Sequence, residues 1–235
     1  MNYVSAVRHP WPCLVFLVPL LAAYEVGVVW LGGSLRNGAD VWLRYVMEWL
    51  GGASDLLAPA FILAILVAWT FWRWDDRPSH VIGVLFGMVL ECILFAGFIW
   101  MIGRNFNGIL EHFGVPLATQ WDISQDSIGR LVTFIGAGIY EETVFRLILF
   151  AGLAWLLHFI MIPWILAMPM ALIVSSILFA LAHHVDPNTH PIDQKLFLFR
   201  ATAGAIFALL FCWRGFGIAA GTHAMYDILV GMPSG

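Results

Sequence analysis

The chain has 235 residues, 61% of them hydrophobic and 11% charged, with a formal net charge of −4. A water-soluble domain of this length keeps too much of its surface hydrated to carry so apolar a composition, which points to a protein that uses the bilayer as solvent. Lys195 is the single lysine and the arginines form no basic stripe, so no nucleic-acid partner is expected.

A spanning helix needs about 20 apolar residues. In chain order, the apolar runs predict seven such helices over residues 11–31, 56–74, 81–102, 128–159, 163–184, 196–213 and 216–231. Between the first two, "ADVWLRYVMEWLGG" alternates polar and apolar residues at helical spacing, the pattern of an amphipathic helix lying at the membrane interface. Residues 103–127 form a polar stretch rich in Asn, Gly, Asp and Gln. The first run is too long for the apolar part of a cleavable signal. Cys13, Cys92 and Cys212 sit in separate runs without CxxC spacing and read as structural. No linker or internal repeat divides the chain. The expected fold is all-α: a polytopic transmembrane helical bundle acting as one integrated membrane domain. Residues 1–127 supply N-terminal spans and interfacial segments, and residues 128–231 supply a core that carries the polar motifs.

Those motifs begin in "GIYEETVFRLIL", residues 138–149. An ionised side chain at bilayer depth costs at least about 2.5 kcal/mol, so Glu141, Glu142 and Arg146 are not expected to face lipid. Glu142 and Arg146 are four residues apart, share a helix face, and can pair. Glu141 is rotated from Glu142 by about 100° and needs a different partner. Further on, "SSILFALAHH" puts Phe179 and His183 on one face, and "GTHAMYDILV" does the same for His223 and Asp227. A carboxylate with two imidazoles in a water-poor bundle can activate water, or can bind a metal through two His and one carboxylate. The bland readings are a self-satisfied Glu142–Arg146 pair, an intrahelical His223–Asp227 pair, and histidines capping a span. Glu25 and Glu91 fit no motif and read as buried hydrogen-bonding groups. His9, His80, His112, His158 and His190 sit in loops or at span ends and read as uninvolved.

The order EExxxR, FxxxH, HxxxD, each at helical spacing inside an apolar run, resembles the CPBP family of glutamate-dependent intramembrane endopeptidases. That family includes the type II CAAX prenyl endopeptidases and the bacteriocin-processing and immunity proteins called Abi. The resemblance spans roughly residues 128–229 and implies a catalytic set. In it Glu141 activates water, His183 polarises it, Glu142 and Arg146 brace the site, and His223 with Asp227 stabilises the oxyanion. The prenyl proteases carry Asn where this chain has Asp227, and an ionised Asp cannot donate a hydrogen bond. A protonated donor, an orienter of His223 and a member of a metal shell are the three readings of Asp227. The cofactor is open between Zn2+ and none; any metal would fall to Glu141, His183 and His223. The implied partners are a membrane-anchored protein or peptide substrate and the lipid bilayer, in a multi-pass membrane protein (of the cell membrane if bacterial). Two other function classes compete: a transporter, since intramembrane Glu and His also mark ion paths, and a non-catalytic membrane scaffold or immunity protein. A transporter would ordinarily show duplicated halves, which this chain lacks. The polar cluster is expected to line a cavity open to one membrane face. Of the adjacent His183 and His184, the first shares the face of Phe179 and is the expected working imidazole.

Overall fold

The computed structural model describes residues 1–32, 35–52, 55–112, 127–183 and 194–231, with the backbone alone over 107–112. Among them every regular element is helical: α1 (Tyr3–Val7), α2 (Pro10–Leu31), α3 (Gly38–Trp49), α4 (Leu57–Trp72), α5 (Val81–His112), α6 (Ser127–Gly136), α7 (Ala151–Phe159), α8 (Trp164–Ala182), α9 (Gln194–Arg214) and α10 (Phe216–Gly231). Two π-helical stretches, Ala137–Glu141 and Thr143–Phe150, join α6 to α7 in one continuous rod.

Among the described residues, five rods are long and apolar enough to cross a membrane: Pro10–Leu31, Val81–Phe106, Ser127–Phe159, Trp164–Ala182 and Gln194–Arg214. Their outer sides are apolar: Ile82, Phe86 and Leu94 on α5 and Ile165 and Ile173 on α8 are all exposed. In water such a surface would aggregate; in a bilayer it faces lipid. The chain is a multi-pass integral membrane protein. The other two expected spans, Leu57–Trp72 and Phe216–Gly231, have 16 residues each. At 1.5 Å per residue they reach about 24 Å, short of the roughly 30 Å hydrocarbon core. Helix α5 extends further than its apolar run, taking in part of the polar stretch up to His112.

Local chemistry sets several helix ends. Asn37 caps α3 by accepting from the Ala39 N–H at 2.8 Å. His9 does the same for α2 through Trp11 N at 3.1 Å and is fully buried, a structural cap at one end of the first span. The tight turn between α9 and α10 passes through Gly215 at φ 91°, a left-handed conformation that costs an L side chain energy.

Helix α10 runs through the middle of the bundle, against α5, α9, α6 and the first π stretch. Residues Phe216 to Ala224 are all buried. The small residues of "GIAAGTHA" allow this close approach. The tightest contact is at Gly138, where an added Cβ would lie 2.5 Å from the Ala220 carbonyl oxygen and 2.7 Å from Ala224 Cβ. Because that oxygen belongs to a packed helix backbone, it cannot give way cheaply. Gly138→Ala is therefore expected to destabilise the protein by about 1–3 kcal/mol, outweighing alanine's better helix propensity. Chemical unfolding in mixed micelles measures it; a more stable variant would show that α10 can shift.

Helix α3 is amphipathic, with its polar side turned inward. Asp40 and Arg44 are buried, while Trp42, Tyr45 and Trp49 are exposed. The aromatic side suits a membrane interface, and the charged side packs under the site described next.

Candidate active site

Glu141 and Glu142 sit where the long rod widens. Its hydrogen bonding loosens from i→i+4 to i→i+5 around Glu142, a local departure common at functional sites. The two carboxylates leave this segment toward different partners.

Glu142 is fully buried. Its Oε1 accepts from His223 Nδ1 at 2.8 Å, and its Oε2 lies 3.1 Å from Arg146 Nε. The expected i,i+4 pair is thus formed, although the Nε–H is not aligned with Oε2. Arg146 finds more support across the bundle. Its Nη2 donates to the Gly204 carbonyl on α9 at 3.0 Å, and its guanidinium carbon lies 4.5 Å from the centre of the Phe179 ring on α8. One glutamate–arginine pair therefore ties the rod to α8, α9 and α10.

Glu141 is directed elsewhere. Its Oε1 accepts from Asn37 Nδ2 at 2.9 Å. Its Oε2 is buried without an aligned hydrogen bond, 3.3 Å from His183 Nε2 and 3.8 Å from His223 Nε2. Both rings are oriented from behind. His183 ends α8, and its Nδ1 lies 2.8 Å from the Phe179 carbonyl; a carbonyl only accepts, so Nδ1 carries the proton and donates. The His223 ring stacks on Phe207 at 4.5 Å and 13°, and its Nδ1 donates to Glu142. In each ring, Nε2 is the nitrogen left to face Glu141. As a neutral ring it presents a lone pair; as a doubly protonated ring it presents an N–H.

The structure brings together Glu141, Glu142, Arg146, His183, His223 and Asp227. Asp227 is the loosest member, with its Oδ2 3.6 Å from His223 Nε2. Glu142 holds His223 from Nδ1 at 2.8 Å, and Asp227 faces the other ring nitrogen, Nε2. Side-chain exposure rises from Glu142 at 0% through Glu141 at 10% to Asp227 at 24% and His183 at 28%, so the cluster opens on the side of His183 and Asp227. A cavity of about 780 Å3 lies elsewhere, lined by Arg8, Trp69, Phe150, Trp164 and Phe216 among others, and none of the six residues lines it. Among the described residues no group of three or more His, Cys, Asp or Glu side chains is arranged to hold a metal ion.

Asn37, Gly204 and Phe207 contact the site without having been singled out from the sequence. Asn37 alone carried a readable signal, as a helix cap before "GAD". Glu25 pairs with Arg44 at 3.0 Å through both carboxylate oxygens and accepts from Tyr140. Glu91 pairs with Arg214. His184 and His190 lie outside the described residues.

Residues 124–229 match a family model described as Type II CAAX prenyl endopeptidase Rce1-like. No curated protein and no solved structure matches the chain. The match covers the rod with Glu141 through to Asp227, that is, all six residues brought together above.

Proposed function

We propose that this chain, whose residues 124–229 match the Rce1-like CAAX protease family model, hydrolyses a peptide bond near the membrane anchor of a protein or peptide substrate, with Glu141 as general base. The observation that supports this most directly is the buried, unbonded Oε2 of Glu141 facing the Nε2 atoms of two fixed imidazoles. A water held at that oxygen passes a proton to Glu141 as its oxygen attacks the substrate carbonyl carbon. His183, the most exposed member, positions the water from its Nε2. Negative charge collects on the substrate oxygen in the tetrahedral intermediate. His223, when doubly protonated, donates from Nε2 to that oxyanion while Nδ1 stays on Glu142. Glu141 then returns its proton to the departing amine as the C–N bond breaks, which leaves a carboxylic acid and an amine. The acid's proton passes to the amine to give carboxylate and ammonium, and the site is restored. Glu142 and Arg146 serve by holding His223 and the rod.

The family's printed name makes a prenylated C-terminal peptide the first substrate to try. A farnesylated CAAX peptide, offered to the purified protein in lipid vesicles, tests the reading, with cleavage abolished in Glu141→Gln as the expected result. His183→Ala is expected to reduce turnover by about 10²–10⁴-fold, the range for a positioned acid–base group. Wild-type turnover in that variant would remove His183 from the mechanism.

A further inference from the structure

Asn37 lies outside the family-matched segment, 104 positions before Glu141. We propose that Asn37 is a positioning residue. It fixes the Glu141 carboxylate so that Oε2, and not Oε1, takes the proton from water, and the ion cluster beneath α3 holds it there.

Both ends of the Asn37 side-chain amide are engaged. Its Oδ1 accepts from Ala39 N at 2.8 Å to start α3, and its Nδ2 donates to Glu141. The amide is planar, so pinning Oδ1 at the helix start also aims Nδ2. The backbone N–H of Asn37 is held as well, donating to the Tyr24 hydroxyl at 3.0 Å. A carboxylate otherwise turns easily about its terminal bond and exchanges its two oxygens. A donor fixed on Oε1 stops that exchange and leaves Oε2 toward the imidazoles.

Helix α3 is tied down from within. Asp40, wholly buried, accepts from the Tyr24 hydroxyl at 2.9 Å, Arg44 Nε at 2.6 Å and Arg36 Nη1 at 3.2 Å. Arg44 reaches both oxygens of Glu25, and Glu25 accepts from Tyr140, the residue beside Glu141. The bonds therefore close a ring from Tyr140 through Glu25, Arg44, Asp40, Tyr24 and Asn37 back to Glu141. So much buried charge is costly unless well satisfied.

The identity of the capping residue is informative. Asn, Asp and Ser cap a helix about equally well. Of the three, Asn has both the donor and the reach for a carboxylate; Asp would set one carboxylate against another, and Ser is too short.

The inference rests on Glu141 being the working base, and the test separates the two claims. Glutamate carboxyl groups labelled with carbon-13 are followed by infrared difference spectroscopy in wild type, Asn37→Ser and Asn37→Asp, without substrate. The Glu141 carboxylate band is expected to shift in Asn37→Ser, and the shift to vanish when Glu141→Gln is also present. Asn37→Ser should stay folded with at most a small drop in melting temperature, because the cap survives and one hydrogen bond is lost. On the farnesylated CAAX peptide its kcat should fall roughly 10–100-fold, as when other carboxylate-orienting partners are lost, with KM unchanged. Asn37→Asp should fall further. An unmoved band, or a wild-type kcat in Asn37→Ser, overturns the positioning role. Full activity in Glu141→Gln overturns the protease reading itself, whatever the band does.

Discussion

Arg146→Ala is expected to cost about 3–5 kcal/mol of stability, among the largest losses for a single change in the six clustered residues. Arg146 is 1% exposed and Glu142 fully buried, so removing the guanidinium strands a carboxylate in a place water does not reach. Three other contacts go with it: the bond to the Gly204 carbonyl and the faces of Phe179 and Phe207. Glu142→Ala should cost a similar amount, because it strands Arg146 and frees His223 Nδ1. Arg146→Lys keeps the charge but cannot reproduce the planar fork that meets the Gly204 carbonyl and the Phe179 ring together, so its loss should be smaller but clear. Chemical unfolding in mixed micelles measures all three. A double variant with apolar residues of similar volume at both positions should be less destabilised than the sum of the single losses, since neither charge is then stranded. Wild-type stability in both single variants would mean that the pair is not buried.

Glu141→Gln has the largest expected effect on activity. The substitution keeps the shape and burial of the side chain and a carbonyl oxygen able to accept from Asn37, but removes the proposed base. Turnover is expected to fall by about 10²–10⁴-fold or more, with KM and thermal stability close to wild type. The neighbouring carboxylate cannot substitute, because Glu142 Oε1 is occupied by His223 and Oε2 faces Arg146. A Glu141→Gln protein that unfolds would instead place Glu141 among the structural groups.

The sequence exposed what depends on spacing within one helix. The apolar runs located the spanning rods to within a few residues, and the i,i+4 rule placed Glu142 with Arg146 and His183 with Phe179 before any packing was known. It could not show how the rods lie against each other, and the site depends on that. Asn37 reaches Glu141 across 104 positions, and His223 reaches Glu142 across 81; no local pattern encodes either distance. The widening of the rod around Glu142 was equally hidden, because a π stretch has no residue signature comparable to a cap or a turn. In α3 the helical pattern was legible but its direction was not. The polar side of an interfacial helix ordinarily faces water; here Asp40 meets the Tyr24 hydroxyl and Arg44 meets Glu25, both across the bundle.

The central claim, that Glu141 drives cleavage of a membrane-anchored substrate, is tested most directly by mass spectrometry of protein termini. Membrane proteins are compared between cells carrying the wild-type chain and cells carrying Glu141→Gln at equal abundance. At least one membrane-anchored protein should be shortened near its anchor with the wild type and remain full length with the variant. Identical termini in the two cell populations would contradict the account.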